Sequence, residues 1–280
     1  MDPVVFAAVL AAAAMHAGWN AVVKISLDPL LSVVLIALAA AAVSAACLPF
    51  VEVPRGPVWY WIAASVLLHA GYKLFLVRAY RAGELGQVYP LARGAAPLIV
   101  GAVSVAFLGE QLGLHQILGI VVLVAGVWGM AFRGGHAVDR LDGTAVFFAI
   151  GTSCFIASYS LVDGTGARRA TSAASYTLYL FLLDGLLIAV ICFAMRGLNG
   201  FRRMGREWRS GLAGGAMSLG SYWIAIWAMT QAPIAAVAAL RETSVLFAVA
   251  ISAIALREPL TRWRAGAALV IVGGVALLRV

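Results

Sequence analysis

Arg93, Asp184, Arg241 and Glu242 are the ionisable residues set deepest inside apolar stretches of this chain. Charges in hydrocarbon are expensive, and those found there typically mark ligand sites, ion pathways or proton relays. A guanidinium presents a planar fork of donors that matches a carboxylate two bonds at a time. Arg93 and Arg241 are therefore candidates for holding a carboxylate. The structural alternative stays open at this point: each arginine pairs with Asp184 or Glu242, or bonds carbonyls freed by a nearby helix break. Asp184 and Glu242 are candidates for coupling, as carriers of a proton.

Polar and aromatic side chains recur around these charges at helical spacing. His16, Trp19 and Asn20 fall at i, i+3 and i+4, as do His69, Tyr72 and Lys73, while Tyr89 and Arg93 are four apart on one face. Pro90 and Pro97 flank Arg93, and a helix proline removes a backbone bond and kinks the rod. In the second half Tyr159, Tyr176, Tyr179, Tyr222, Trp223 and Trp227 repeat the character. Trp223 and Trp227 offer ring faces to an apolar or cationic substrate, with core packing as the competing role. Trp19, Asn20, His69, Tyr72, Tyr89, Arg93, Tyr159, Trp223, Trp227 and Arg241 make up the candidate substrate contacts. Trp59, Tyr60, Trp61, Trp208 and Trp263 lie at span ends and read as interfacial anchors.

Catalytic and metal signatures are missing from the sequence. Its histidines form no H-E-x-x-H, and there is neither a G-x-S-x-G nor a Walker lysine motif. Cys47, Cys154 and Cys192 sit in apolar stretches without C-x-x-C spacing. No cofactor, no metal and no enzymatic activity are expected.

The elements that position these residues follow from composition. Of 280 residues 63% are hydrophobic and 11% charged, and the mean hydropathy is +0.97. A water-soluble globule is excluded. The net charge of +8 comes from arginines in short joints between apolar segments rather than along one face, so nucleic acid is not expected as a partner. The partners expected are the lipid bilayer and a small-molecule substrate, with the chain a monomer or weak homo-oligomer. Apolar spans are predicted at 3–24, 30–50, 58–79, 86–107, 115–132, 142–163, 172–195, 209–229, 232–256 and 262–279. Strand alternation is lacking, so the fold class is an all-α membrane protein of ten transmembrane helices. The first span reads as a retained helix and not a signal peptide.

The spans repeat. A shift of 148 lays Leu108-Gly109-Glu110-Gln111-Leu112 on Leu256-Arg257-Glu258-Pro259-Leu260 and Arg93 on Arg241. Nearer the start of each half a shift of 140 puts Trp19-Asn20 on Tyr159-Ser160. Two five-helix repeats are expected, 1–135 and 136–280. Five is odd, so the second copy enters from the opposite side, giving an inverted repeat with its site near the shared midplane. Arg93 and Arg241, about eight and ten residues into their spans at about 1.5 Å per residue, approach the middle of a roughly 30 Å core from opposite directions. Glu110 and Glu258, before the fifth and tenth spans, are expected to bond the first amides of those helices. Gly119 with Gly126, and Gly266 with Gly273, are expected to clear a strip for close helix contact.

Lysine and arginine divide unevenly between the two sides. Four of them (Arg55, Arg168, Arg169 and Arg279) share the side of the termini, and thirteen lie opposite, five of those in the 196–209 joint. By the positive-inside rule both termini lie on the non-cytoplasmic side of a plasma membrane.

The two L-x-E-x-L joints, the ten spans and the five-plus-five duplication resemble the drug/metabolite transporter superfamily, specifically its EamA-type ten-helix members. Trp19-Asn20-Ala21 with Lys24 is loosely similar to the first-helix pattern of that family. Within it, the polar interior rich in Tyr and Trp resembles the YddG-type amino-acid exporters. The resemblance implies efflux of amino acids or similar small metabolites through a central cavity between the halves; the inverted repeat with midplane arginines and aromatic residues adds the expectation of alternating access and of aromatic or large apolar amino acids as substrates. An exporter of drug-like cations is the first alternative, which Asp184 and Glu242 suit and the arginines do not. A membrane-embedded enzyme acting on lipid-linked substrates is the second.

Overall fold

The computed structural model describes residues 1–26, 28–82, 85–133, 142–255 and 261–279. The joints at 134–141 and 256–260, with Glu258, lie outside the described residues, as do the side chains of Lys24 and Tyr89.

Among the described residues all regular structure is helical. The helices are α1 (Pro3–Ser26), α2 (Pro29–Cys47), α3 (Val58–Ala82), α4 (Leu85–Gly94), α5 (Ala96–Phe107), α6 (Leu114–Arg133), α7 (Gly143–Arg169), α8 (Ala173–Met204), α9 (Trp208–Gln231), α10 (Ile234–Arg241), α11 (Ser244–Ala255) and α12 (Arg262–Arg279). Seven segments among them are long and apolar enough to cross a membrane, with shorter apolar runs at Leu91–Phe107 and Leu114–Met130. Asp28 and Asp142 cap α2 and α7 through side-chain bonds to Leu30 and Thr144 amides, satisfying donors that helix starts leave free. The long α8 turns at Gly197, whose φ of 60° is one that side-chain-bearing residues rarely adopt.

The fourth and ninth spans, each predicted as one helix, are broken in two. The first break falls at Ala95 between α4 and α5, where Pro97 sits at the start of α5 and its missing N–H leaves no bond unmade. The second falls at Glu242-Thr243 between α10 and α11. No proline lies in that turn. It is held by tight bonds from the Glu242 and Thr243 amides to the Ala239 and Leu240 carbonyls and by the Thr243 hydroxyl, which donates to the Leu240 carbonyl at 2.7 Å. Both breaks follow an arginine, and Ala96, which opens α5, corresponds to Ser244, which opens α11, at the shift of 148.

Packing follows the same exchange. The most extensive contacts between helices are α3 with α7, α1 with α9, α2 with α8 and α6 with α12. Exchanging the repeats turns α3–α7 into α9–α1 and maps the other two pairs onto themselves. Lipid supplies no hydrophobic drive between helices, so close packing of small residues carries much of the association. Gly185 of α8 meets Ala37 and Ala41 of α2, and Gly215 of α9 meets Ala39 and Ala40. On the α6–α12 seam the close contacts belong to Gly119, Gly126 and Gly274. Gly266 and Gly273 face open space, which corrects half of the predicted strip: α12 turns the next residue along, Gly274, to its partner. One apolar core drawn from both repeats, including Ile62, Tyr176, Leu178, Ile234 and Leu240, surrounds the breaks.

Candidate substrate cavity at the broken helices

Arg93 is the last residue but one of α4 and Arg241 the last of α10, so each guanidinium springs from the last turn of a short helix, where the dipole and free carbonyls favour a cation. Both are buried, at 3% and 5% exposure. Their partners differ. Arg93 Nε donates to Glu242 Oε2 at 2.9 Å and Nη2 to Oε1 at 2.8 Å, a bidentate pair across the two repeats. Nη1 lies 2.7 Å from His16 Nε2. The guanidinium is the donor here, so the imidazole nitrogen it meets must hold a lone pair. Arg241 instead lies over the Tyr222 ring, 4.9 Å from its centroid, and no ion pair or hydrogen bond of its side chain is found among the described residues.

Tyr222 also donates its hydroxyl to Asp163 Oδ2. Asp163, fully buried on α7, accepts a second bond from the Tyr176 hydroxyl at 2.9 Å. His69 stacks on Tyr159 with ring centroids 4.2 Å apart and meets Tyr222 edge-on. Its Nδ1 is 3.1 Å from the Ser65 hydroxyl. On the other wall Lys73 of α3 donates to Asp184 Oδ2 of α8.

Some of these groups, His16, His69, Lys73, Tyr159, Asp184, Tyr222 and Arg241, line a cavity of about 60 Å³. Its lining includes His16 and Trp19 from α1, His69, Tyr72 and Lys73 from α3, Tyr159 from α7, Phe181 and Asp184 from α8, Ser218 and Tyr222 from α9, and Arg241 from α10. Both repeats contribute. At ~10–15 Å³ of such space per water, the cavity has room for a few waters and no organic substrate without rearrangement.

Of the predicted contacts the structure gathers Trp19, His69, Tyr72, Tyr159 and Arg241 on this wall, with Asp184. Trp19 and Tyr159, matched by the shift of 140, both line it. Arg93 and Glu242 lie behind the lining, joined to it through His16. Asn20 is turned back along α1, its amide donating to the His16 carbonyl at 2.8 Å. Trp223 and Trp227 are half-buried against the apolar core and do not line the cavity. Tyr222 takes the inward face of α9, and the residue after it points about 100° away. Tyr89 lies outside the described side chains.

Sequence reasoning missed Asp163, which falls at the predicted end of the 142–163 span. A signal was available: Ser160, Asp163, Gly164 and Ala167 share one buried helix face. Glu110 is structural as expected, but its partner is not its own following helix. Its Oε1 accepts from the Ile234 amide at 2.9 Å and from Arg168 Nη2 at 2.8 Å, so it caps α10 of the other repeat. Arg168 in turn donates to the Met229 and Ala232 carbonyls that end α9.

Two broken-helix repeats enclosing a charged cavity define a membrane protein with the architecture of secondary transporters. The chain belongs to the EamA-like transporter family, which matches residues 4–132 and again 143–280. It is therefore a multi-pass membrane transporter of the drug/metabolite type, made of two EamA repeats. The chain is 30% identical over 137 residues to the uncharacterized transporter YwfM of Bacillus subtilis (strain 168), a match covering 46% of this chain and 45% of that one. The chain thus spans just under half the length of that relative. Its fold is similar to that of a solved crystal structure at a TM-score of 0.75, with 18% identity and coverage of 98% of this chain and 94% of the other.

Proposed function

We propose that the protein exports small metabolites bearing a carboxylate, foremost amino acids with aromatic or large apolar side chains, by alternating access through the cavity between the repeats. The observation that carries this reading is Arg241: a buried guanidinium on the cavity wall, with an aromatic ring beneath it and no anion bound to it among the described residues. Burying a charge without a counter-ion is unfavourable, and a substrate carboxylate supplies one in bidentate geometry. Trp19, Tyr72, Tyr159, Phe181 and Tyr222 give the same cavity apolar ring surface for a side chain. Two near-equal halves rocking about a fixed site open it to either side in turn. Of the two coupling candidates, Glu242 has both oxygens committed to Arg93, so the role falls to Asp184.

Export of drug-like cations is the second reading, favoured by Asp184 Oδ1, which is buried and accepts no bond among the described residues. Counterflow in proteoliposomes with radiolabelled amino acids, cationic dyes and nucleotide sugars separates the two. Exchange of amino acids above the empty-liposome rate is expected. Exchange of dyes alone would replace the first reading with the second.

A further inference from the structure

Lys73 and Asp184 form the ion pair on the cavity wall itself, and the carboxylate reading leaves them without a task beyond coupling. Lys73 projects from α3 and Asp184 from α8, and both side chains are largely buried, at 12% and 7% exposure. The ammonium engages Oδ2 only. Oδ1 of the same carboxylate is buried and accepts nothing among the described residues. An ionised carboxylate is acceptor-only with about four lone-pair sites, and leaving a buried acceptor unsatisfied is unfavourable. The site is thus a carboxylate half-filled by a tethered ammonium, on a residue that lines the cavity, with its second oxygen enclosed by protein and one donor short.

The cation that fills it is the feature that decides selectivity. Lysine is a compact point charge on a flexible four-carbon stem, able to leave and return, whereas arginine would lock the carboxylate in a planar fork. The cavity, about 60 Å³ with Lys73 in place, grows when that stem withdraws.

We propose that Asp184 is the binding group for a substrate's primary ammonium and that Lys73 is its intramolecular stand-in, seated on the carboxylate while the cavity is empty and displaced when the substrate arrives. The inference rests on the proposed function and deepens it: Arg241 takes the carboxylate and Asp184 the ammonium, so the cavity selects α-amino acids. A substrate without an ammonium has nothing to exchange for Lys73 and meets a cavity that stays narrow. The Lys73–Asp184 pair therefore discriminates against purely anionic and neutral compounds of the same shape, and Asp184 stripped of its ammonium still repels a carboxylate.

Three probes with one side chain isolate the two ends: phenylalanine, 2-phenylethylamine, which lacks the carboxylate, and 3-phenylpropanoate, which lacks the ammonium. Their binding to the purified full-length transporter is measured by titration calorimetry in detergent. In Lys73→Met the internal competitor is gone, and affinity for phenylalanine and 2-phenylethylamine should rise about tenfold with no gain for 3-phenylpropanoate. That variant strands the Asp184 charge, which lowers stability. Lys73→Met combined with Asp184→Asn removes both charges together and keeps the test decisive. There, 2-phenylethylamine binding should vanish, and the preference for phenylalanine over 3-phenylpropanoate should fall about tenfold or more. An unchanged preference in the double variant would overturn the proposal, as would a wild-type protein that binds neither ammonium probe. Arg241→Gln is run alongside. If phenylalanine and 3-phenylpropanoate are both indifferent to it, the carboxylate reading fails by itself, and the 2-phenylethylamine result still decides the role of Asp184.

Discussion

Arg93 and Glu242, 149 residues apart, hold each other by two hydrogen bonds of 2.9 and 2.8 Å, joining the broken helix of one repeat to the broken helix of the other. The arginine next to Glu242 in sequence, Arg241, takes no part in this pair and faces the cavity over Tyr222. Two residues that the duplication makes equivalent thus do different work. One closes the seam between the halves, and the other presents a cation to the space they enclose.

Arg93→Gln should lower stability in a substrate-independent way. Removing one partner of a buried pair typically costs about 3–5 kcal/mol because the other charge is stranded. The yield of monodisperse protein by fluorescence size-exclusion chromatography should fall sharply, and Arg93→Gln combined with Glu242→Gln should recover much of it. Equal yields for the single variant and wild type would show that the Arg93–Glu242 pair does not hold the seam between the repeats.

On the α6–α12 seam, glycines one residue apart should behave in opposite ways. A Cβ at Gly274 would stand 2.6 Å from the Leu123 amide nitrogen, whereas one at Gly273 meets nothing. Gly274→Ala is expected to destabilise by about 1–3 kcal/mol through overpacking. Gly273→Ala should be neutral or slightly stabilising, since alanine favours the helix. Thermal unfolding in detergent checks both, and the reverse order would contradict this seam.

Glu110→Gln should weaken the start of α10 without abolishing transport. The change removes the charge that faces Arg168 and the Ile234 amide. A loss of about 1 kcal/mol is expected for a helix cap, read as a lower unfolding temperature, while the counterflow rate should stay within about twofold.

The division between legible and illegible parts of this molecule follows sequence distance. The helices, the duplication and the common register of Arg93 and Arg241 are written in composition and spacing, because each depends on residues within one span. The broken ninth span is harder to see: its turn contains no proline and rests on bonds at Glu242 and Thr243. Partners are harder still. Glu242 adjoins Arg241, yet neighbours on a helix point about 100° apart, and only the fold brings Arg93 to it. The same holds for Lys73, legible as part of a polar stripe with His69 and Tyr72 but not as the partner of Asp184 on α8. Glu110 reads as a cap from its place at a joint, while the helix it caps lies in the other repeat.

The basic joint between α8 and α9 is expected on the cytoplasmic side, with both termini opposite, as the distribution of Arg and Lys suggests. A single cysteine at Gly205 or Arg209, in a background lacking Cys47, Cys154 and Cys192, should resist a membrane-impermeant thiol reagent in intact cells and react after lysis. Ready labelling in intact cells would invert the orientation.

If Arg241 holds the substrate's carboxylate, counterflow of phenylalanine and of phenylalaninamide through wild type and Arg241→Gln in the same liposomes will tell the two compounds apart. Losing a hydrogen bond to a charged group costs about 1.5–3 kcal/mol, so phenylalanine exchange at sub-saturating concentration should drop roughly 10- to 100-fold. The amide, which has no carboxylate to lose, should move at equal rates through both proteins. If Arg241→Gln slows the two compounds alike, or leaves phenylalanine untouched, Arg241 is not the carboxylate anchor.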